Sequence, residues 1–299
     1  MTTDVQRPGV ISTFLNYRNP ENGDNIYAGT VGELRKKHAA TKVNINDVRH
    51  SEESITLDKQ GFQVVNHESS EKEFDNEDQI KRVYYPECAE LLKKHTNATK
   101  VIPFAHVVRR QDQRQILDSG KDLEDTDRTP APGYAGFVHI DQSYKGAYTR
   151  ISGALPEYAD KLGNQRFAIM NIWRPIHYPV TRDALAVCDA RSVPESHLHE
   201  QTIRFPKEAR RNSGSGQDAY APKPPVEAWA VEPPSSPDEH KWWYVSEMKP
   251  EEAFLLKIFD FKIEDGLARR APHTAFSCEE DYGLSRHSIE CRCLVLWDD

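Results

Sequence analysis

The tripeptide His139-Ile140-Asp141 closes a short apolar run, Gly136-Phe137-Val138, and sets an imidazole and a carboxylate at positions i and i+2. In an extended strand those positions share a face, with Cα atoms about 6.6–6.8 Å apart, so both side chains can converge on one metal ion. Two histidines and one carboxylate can hold Fe(II) on three corners and leave three open for a co-substrate and O2. The tripeptide alone is a weak signal, because an acidic chain with 12 histidines produces one by chance. Indeed His50-Ser51-Glu52 is a second instance. It sits in a polar stretch without a strand pattern and reads as a decoy.

A third ligand must come from elsewhere. His273, in Ala271-Pro272-His273-Thr274-Ala275-Phe276, lies just before the last strong strand pattern. Arg286-His287-Ser288 follows and leads into Ile289-Glu290-Cys291-Arg292-Cys293. Arg286 and Ser288 share a strand face. A guanidinium grips a carboxylate bidentately and a serine hydroxyl can add a further bond. A 2-oxo acid that chelates iron through its oxo and C1 carboxylate groups needs such an anchor for its far carboxylate. Arg286 can supply it, and Arg292, on the same face, is the alternative.

The elements that must position these groups change character along the chain. Residues 1–75 are polar and turn-rich, with apolar islands such as Phe62-Gln63-Val64-Val65. Thr30-Val31-Gly32-Glu33 has the spacing of a helix capping box. Residues 77–95 carry Ile80, Val83, Tyr84, Cys88, Leu91 and Leu92 at helical spacing, with Pro86 expected to divide the helix. Beyond residue 100, strands are expected at 101–108, 134–140, 167–173, 185–188, 242–245, 253–259 and 289–297. Helices followed by many short strands point to an α+β fold, a jelly-roll core with flanking helices. The chain reads as one domain over 1–299. Within it, 1–99 is an N-terminal extension, 100–299 the core and 212–239 a Pro-rich insertion. That insertion reads either as a surface decoration or as a lid over the site, with Trp229 facing a substrate.

Composition removes several classes. A net charge of -8 argues against nucleic-acid binding. Five cysteines without framework spacing suit a reducing compartment, and no apolar stretch is long enough for a membrane span. A soluble cytoplasmic protein with a small-molecule substrate is expected, its oligomeric state open.

Several strings extend the pattern: Asn171-Ile172-Trp173-Arg174-Pro175-Ile176, Leu185-Ala186-Val187-Cys188-Asp189-Ala190-Arg191-Ser192 and Lys241-Trp242-Trp243-Tyr244. Together with His139-Ile140-Asp141-Gln142-Ser143, Pro272-His273-Thr274 and Arg286-His287-Ser288, they resemble the Fe(II)/2-oxoglutarate-dependent oxygenases. More narrowly, they resemble a fungal hydroxylase/desaturase group that includes gibberellin-desaturase-like and cephem-methoxylase-like proteins. The resemblance covers roughly residues 100–298. It implies a double-stranded β-helix, His139, Asp141 and His273 as iron ligands, Arg286 as the 2-oxoglutarate anchor, and O2 as the oxidant. The reaction it implies is hydroxylation, desaturation or oxidative cyclisation of a natural-product intermediate.

Blander readings stand beside these. His273 can be a hydrogen-bonded structural histidine and Arg286 a surface charge. Arg174 can bind a substrate carboxylate or form a buried ion pair. Tyr244 and Trp229 are candidate substrate contacts, and Tyr244 suits a core or a pocket wall. His197-Leu198-His199-Glu200 resembles a zinc cluster without cysteine partners and reads as a surface loop. A non-catalytic jelly-roll binding protein, a cupin-type metalloenzyme that does not use 2-oxoglutarate and a zinc hydrolase remain the alternatives for the whole chain.

Overall fold

A computed structural model describes residues 9–111, 113–163, 165–205 and 225–297. Among them the strands are β1 (Val10–Tyr17), β2 (Asn25–Tyr27), β3 (Ala39–Asp47), β4 (Phe62–Asn66), β5 (Lys100–Arg109), β6 (His139–Ile140) and β7 (Phe167–Pro175). They continue as β8 (Leu185–Cys188), β9 (Leu198–Arg204), β10 (Val226–Val231), β11 (Trp242–Tyr244), β12 (Glu252–Asp260), β13 (His273–Ala275) and β14 (Ser288–Leu296). The α-helices are α1 (Val31–Arg35), α2 (Glu77–Gln79), α3 (Tyr85–Thr96), α4 (Gln113–Ser119) and α5 (Tyr144–Ala154).

Two sheets face each other. One has the order β4-β12-β7-β14-β5 and the other β1-β3-β11-β8-β13-β6-β10-β9-β2. The strands β7, β12 and β14 read as mostly apolar runs because both of their faces are covered. On β7, Phe167, Ile169 and Trp173 enter the core between the sheets with Phe254, Leu256 and Trp242. Ala168, Met170 and Ile172 face the other way, against Leu91 and Leu92 of α3 and Cys291 and Cys293 of β14. This is the α+β jelly roll that the pattern of strands and helices leads one to expect.

Several expectations need correction. Residues 77–95 are not divided at Pro86: α2 runs through a π turn, Ile80–Tyr84, into α3, with Pro86 in the first turn of α3. The wide turn accommodates a ring that has no N–H to donate. Of the strand expected at 134–140, only His139–Ile140 joins a ladder. The residues before it bond elsewhere, Val138 N–H to Asn16 and Ala135 carbonyl to the Ala275 N–H. Within the segment 212–239, Val226–Val231 is an interior strand between β6 and β9. The first part of that segment, 212–224, lies outside the described residues.

One glycine sets the distance between α5 and the sheet. Ser143 caps α5, accepting from the Gly146 N–H at 3.0 Å, and its own N–H donates to the Glu227 carbonyl on β10 at 2.7 Å. A Cβ at Gly146 would meet that carbonyl oxygen at 1.8 Å. The helix therefore docks close enough to carry its later residues, Arg150 among them, to the mouth of the site.

Candidate active site

The two histidines meet because β13 and β6 pair antiparallel with His273 opposite His139. Their ring centroids lie 4.5 Å apart. Backbone carbonyls fix both tautomers: Nδ1 of His139 donates to Phe137 at 2.8 Å and Nδ1 of His273 donates to Ala271 at 3.1 Å. The lone pairs are thus left on Nε2. Nε2 of His273 is buried with no hydrogen-bond partner. Oδ1 of Asp141 lies 3.5 Å from Nε2 of His139, and the ligand atoms of all three residues fall within 4.8 Å of one another. An unpaired buried acceptor costs about 1–3 kcal/mol. Two imidazole nitrogens and one carboxylate oxygen are a donor set that suits Fe(II).

The other carboxylate oxygen is held from behind. Oδ2 of Asp141 accepts from Asn171 Nδ2 at 2.8 Å and faces Nε of Arg292 at 3.3 Å. Arg292 and Asn171 stand opposite each other on β14 and β7, and Arg292 also pairs with Glu290. Burial works against the Asp141 charge, but Arg292 and the two imidazoles outweigh it and hold the carboxyl well below the usual range. Burial and the neighbouring His139 push the His273 imidazole down, keeping it neutral. For His139, burial is outweighed by Asp141 and the pKa rises. Asn171 escaped the reading of the sequence, although an inward amide in an apolar strand always asks for a partner.

A cavity of about 330 Å³ borders this face, walled by Phe137, His139, Asp141, Arg150, Trp229 and Arg292. Trp229 is therefore placed at the cavity, but by a strand, where it stands opposite Ile140. Arg286 is buried at one remove. Its guanidinium lies 4.1 Å from the Tyr134 ring and 5.1 Å from the Trp173 ring, and Nη1 donates to the Asp183 carbonyl at 2.6 Å. Nε of Arg286 and Oγ of Ser288 are both buried and without a partner.

Arg174 and Tyr244 are elsewhere. Arg174 points to the outer face of β7, its Nη2 2.7 Å from Nδ1 of His67 and its guanidinium over Tyr84 at 5.3 Å. Tyr244 is buried in the core against Phe276. His50 is exposed beside Asp47, at 3.5 Å, away from the triad.

His197 has different neighbours from those its sequence suggests: it meets His240 and Glu239, while His199 turns to Asp24 at 2.7 Å. A relay runs from Trp242 Nε1 to the Tyr17 hydroxyl (2.8 Å), on to Nδ1 of His240 (3.1 Å), and from Nε2 of His240 to Nδ1 of His197 (3.0 Å). Burial, then repulsion from His197, pushes the His240 imidazole down to about 4, against a smaller opposing pull from Glu239. A histidine lowered in the folded state binds fewer protons there than when unfolded. Its contribution is complete above its unfolded value of about 6.5 and is lost as pH falls toward 4, roughly 3 kcal/mol in all. His240→Gln should therefore flatten the acid limb of stability. Urea midpoints at pH 7 and pH 4.5 check this, and an unchanged difference between them would remove His240 as its source.

From residue 15 to residue 296 the chain matches a family described as an oxidoreductase/YMDC permease-like domain. The hydroxylase/desaturase CTB9 of Cercospora beticola is 41% identical over 294 residues, 95% of this chain and 86% of that protein. The hydroxylase/desaturase efuI of Hormonema carpetanum is 40% identical over 100% of this chain and 99% of its own. The alpha-ketoglutarate-dependent dioxygenase phiK, from a fungal species, is 31% identical over 97% of each. The solved iron and alpha-ketoglutarate-dependent endoperoxidase NvfI shares the fold, with a TM-score of 0.71 over 97% of this chain and 99% of that one at 22% identity. With two relatives near 40% identity along almost its whole length, the chain belongs to the family of these fungal hydroxylase/desaturases and alpha-ketoglutarate-dependent dioxygenases.

Proposed function

We propose that the protein is a non-haem iron(II), 2-oxoglutarate-dependent oxygenase of secondary metabolism. It hydroxylates, desaturates or oxidatively cyclises a small-molecule intermediate. The observation that carries this is the unpartnered Nε2 of buried His273, turned with His139 and Asp141 into one ligand set. The names of the alpha-ketoglutarate-dependent relatives support it. Bound iron would supply the redox chemistry, coupling decarboxylation of 2-oxoglutarate to succinate and CO2 with oxidation of a substrate C–H bond by O2.

The chain's own residues do the rest. The carbonyls of Phe137 and Ala271 hold both imidazoles in the metal-binding tautomer, and Asn171 and Arg292 aim Asp141 by occupying its second oxygen. Arg286 and Ser288 receive the far carboxylate of 2-oxoglutarate with the donors that the fold leaves unpaired. Trp173, against the Arg286 head, is two residues beyond Asn171 on the same face of β7, so that head lies further along the barrel than the Asn171 contact with Asp141. A short dicarboxylate can bridge that gap. Arg292, already committed to Asp141 and Glu290, is the poorer anchor. A cytoplasmic setting goes with this reading, since all five cysteines are free thiols.

The test is anaerobic titration of Fe(II) and 2-oxoglutarate into the protein, followed by admission of O2. We expect a visible charge-transfer band that needs both components, then succinate formed in proportion to the 2-oxoglutarate consumed. Iron binding without such a band would mean a cupin-type metalloprotein that does not use 2-oxoglutarate.

A further inference from the structure

The cavity wall holds polar groups that the reaction above does not use. Nε1 of Trp229 and Oε1 of Gln142 border the cavity, buried and unpaired. Arg150, on α5, borders it with Asp141 and Arg292. Its guanidinium lies over the Phe104 ring at 5.4 Å and has no hydrogen bond or ion pair among the described residues. The other cavity arginines are engaged: Arg109 donates to the Gly133 carbonyl, and Arg292 is held by Asp141 and Glu290. Burial and repulsion from Arg292 push the Arg150 guanidinium down to about 10, which leaves it charged at neutral pH.

Arg150 is a half-buried cation at the cavity wall without a counter-charge, open to an anion that enters the cavity. The forked donors of a guanidinium match a carboxylate, and an indole N–H can add one more bond. Trp229 lines the same cavity as His139 and Asp141, so its indole belongs to the wall around the metal ligands. The far carboxylate of 2-oxoglutarate has its own unpaired donors in Arg286 and Ser288. We infer that Arg150 is the receptor for a carboxylate on the organic substrate, with the Trp229 indole N–H as second donor. The substrates are then small organic acids. The reaction they undergo rests on the oxygenase reading above; the anion site itself does not.

The experiment uses benzoate and benzamide, which share a shape and differ in charge. Each is titrated calorimetrically into the full chain, once loaded anaerobically with Fe(II) and 2-oxoglutarate and once metal-free. In the wild type benzoate should bind roughly ten- to hundredfold more tightly than benzamide. Arg150→Gln should abolish the preference and Arg150→Lys should restore part of it. Both variants should bind 2-oxoglutarate within about twofold of wild type by the charge-transfer band, which also reports a folded site. No benzoate preference in the wild type, including no benzoate binding, overturns the inference. So does a tenfold loss of 2-oxoglutarate affinity in Arg150→Gln, which would make Arg150 the co-substrate anchor. An Arg150-dependent preference in metal-free protein, without a charge-transfer band in the wild type, would retire the oxygenase reading and keep the receptor.

Discussion

His139→Ala, Asp141→Ala and His273→Ala should each lose iron on desalting and make succinate only at background level. The three side chains offer the metal one atom apiece, and nothing else within the cluster can replace any of them. Loss of a residue that merely orients a ligand costs about 10–100-fold in affinity or activity, so loss of a ligand itself should exceed about a hundredfold. Asn171→Ala supplies the graded control: it frees Oδ2 of Asp141 without removing a ligand and should fall in the lower range. Near-wild-type thermal melting would show that the fold survives, which is expected because the histidines give up only one carbonyl bond each. Two triad variants with wild-type iron content and turnover would sink the assignment.

That triad could be read from the sequence because its parts are local. His139 and Asp141 are two residues apart on a strand end, and His273 sits in a short motif just before a strong strand. The strands β7, β8, β12 and β14 were equally legible, since burial on both faces leaves mostly apolar runs. β1 was not. Its buried Ile11, Leu15 and Tyr17 alternate with Ser12, exposed Phe14 and Asn16, and a one-sided strand of that kind resembles a turn-rich stretch. β10 was hidden for another reason: the prolines around it suggested a single loop, yet Val226–Val231 pairs on both sides. The partners of the triad are legible only through register. Arg286 and Arg292 have the same spacing parity and face, so no pattern separates them. The pairing of Arg292 with Asn171 does so, by bringing one arginine to Asp141 and leaving the other further along the barrel.

The same register predicts opposite defects for the two arginines. Arg286→Leu should weaken 2-oxoglutarate binding and leave iron in place. Its guanidinium is buried between Tyr134 and Trp173 with an unpaired Nε, and the Ser288 hydroxyl is also unpaired, so a bound carboxylate completes donors that otherwise stay orphaned. Hydrogen bonds to a charged group contribute about 1.5–3 kcal/mol, which is roughly a ten- to hundredfold rise in the 2-oxoglutarate requirement. Leucine fills much of the space between the two rings and keeps the loss chiefly electrostatic. Ser288→Ala should show a smaller rise of the same kind. Arg292→Leu should do the reverse, costing iron first, because it removes the cation that opposes burial at Asp141 and leaves the buried Glu290 carboxylate only its 3.7 Å pairing with Arg109. Iron retention after desalting and the concentration dependence of the charge-transfer band separate the two effects. If Arg286→Leu binds 2-oxoglutarate normally while Arg292→Leu keeps its iron and loses the co-substrate, the anchor is Arg292, and Asp141 is held by Asn171 alone.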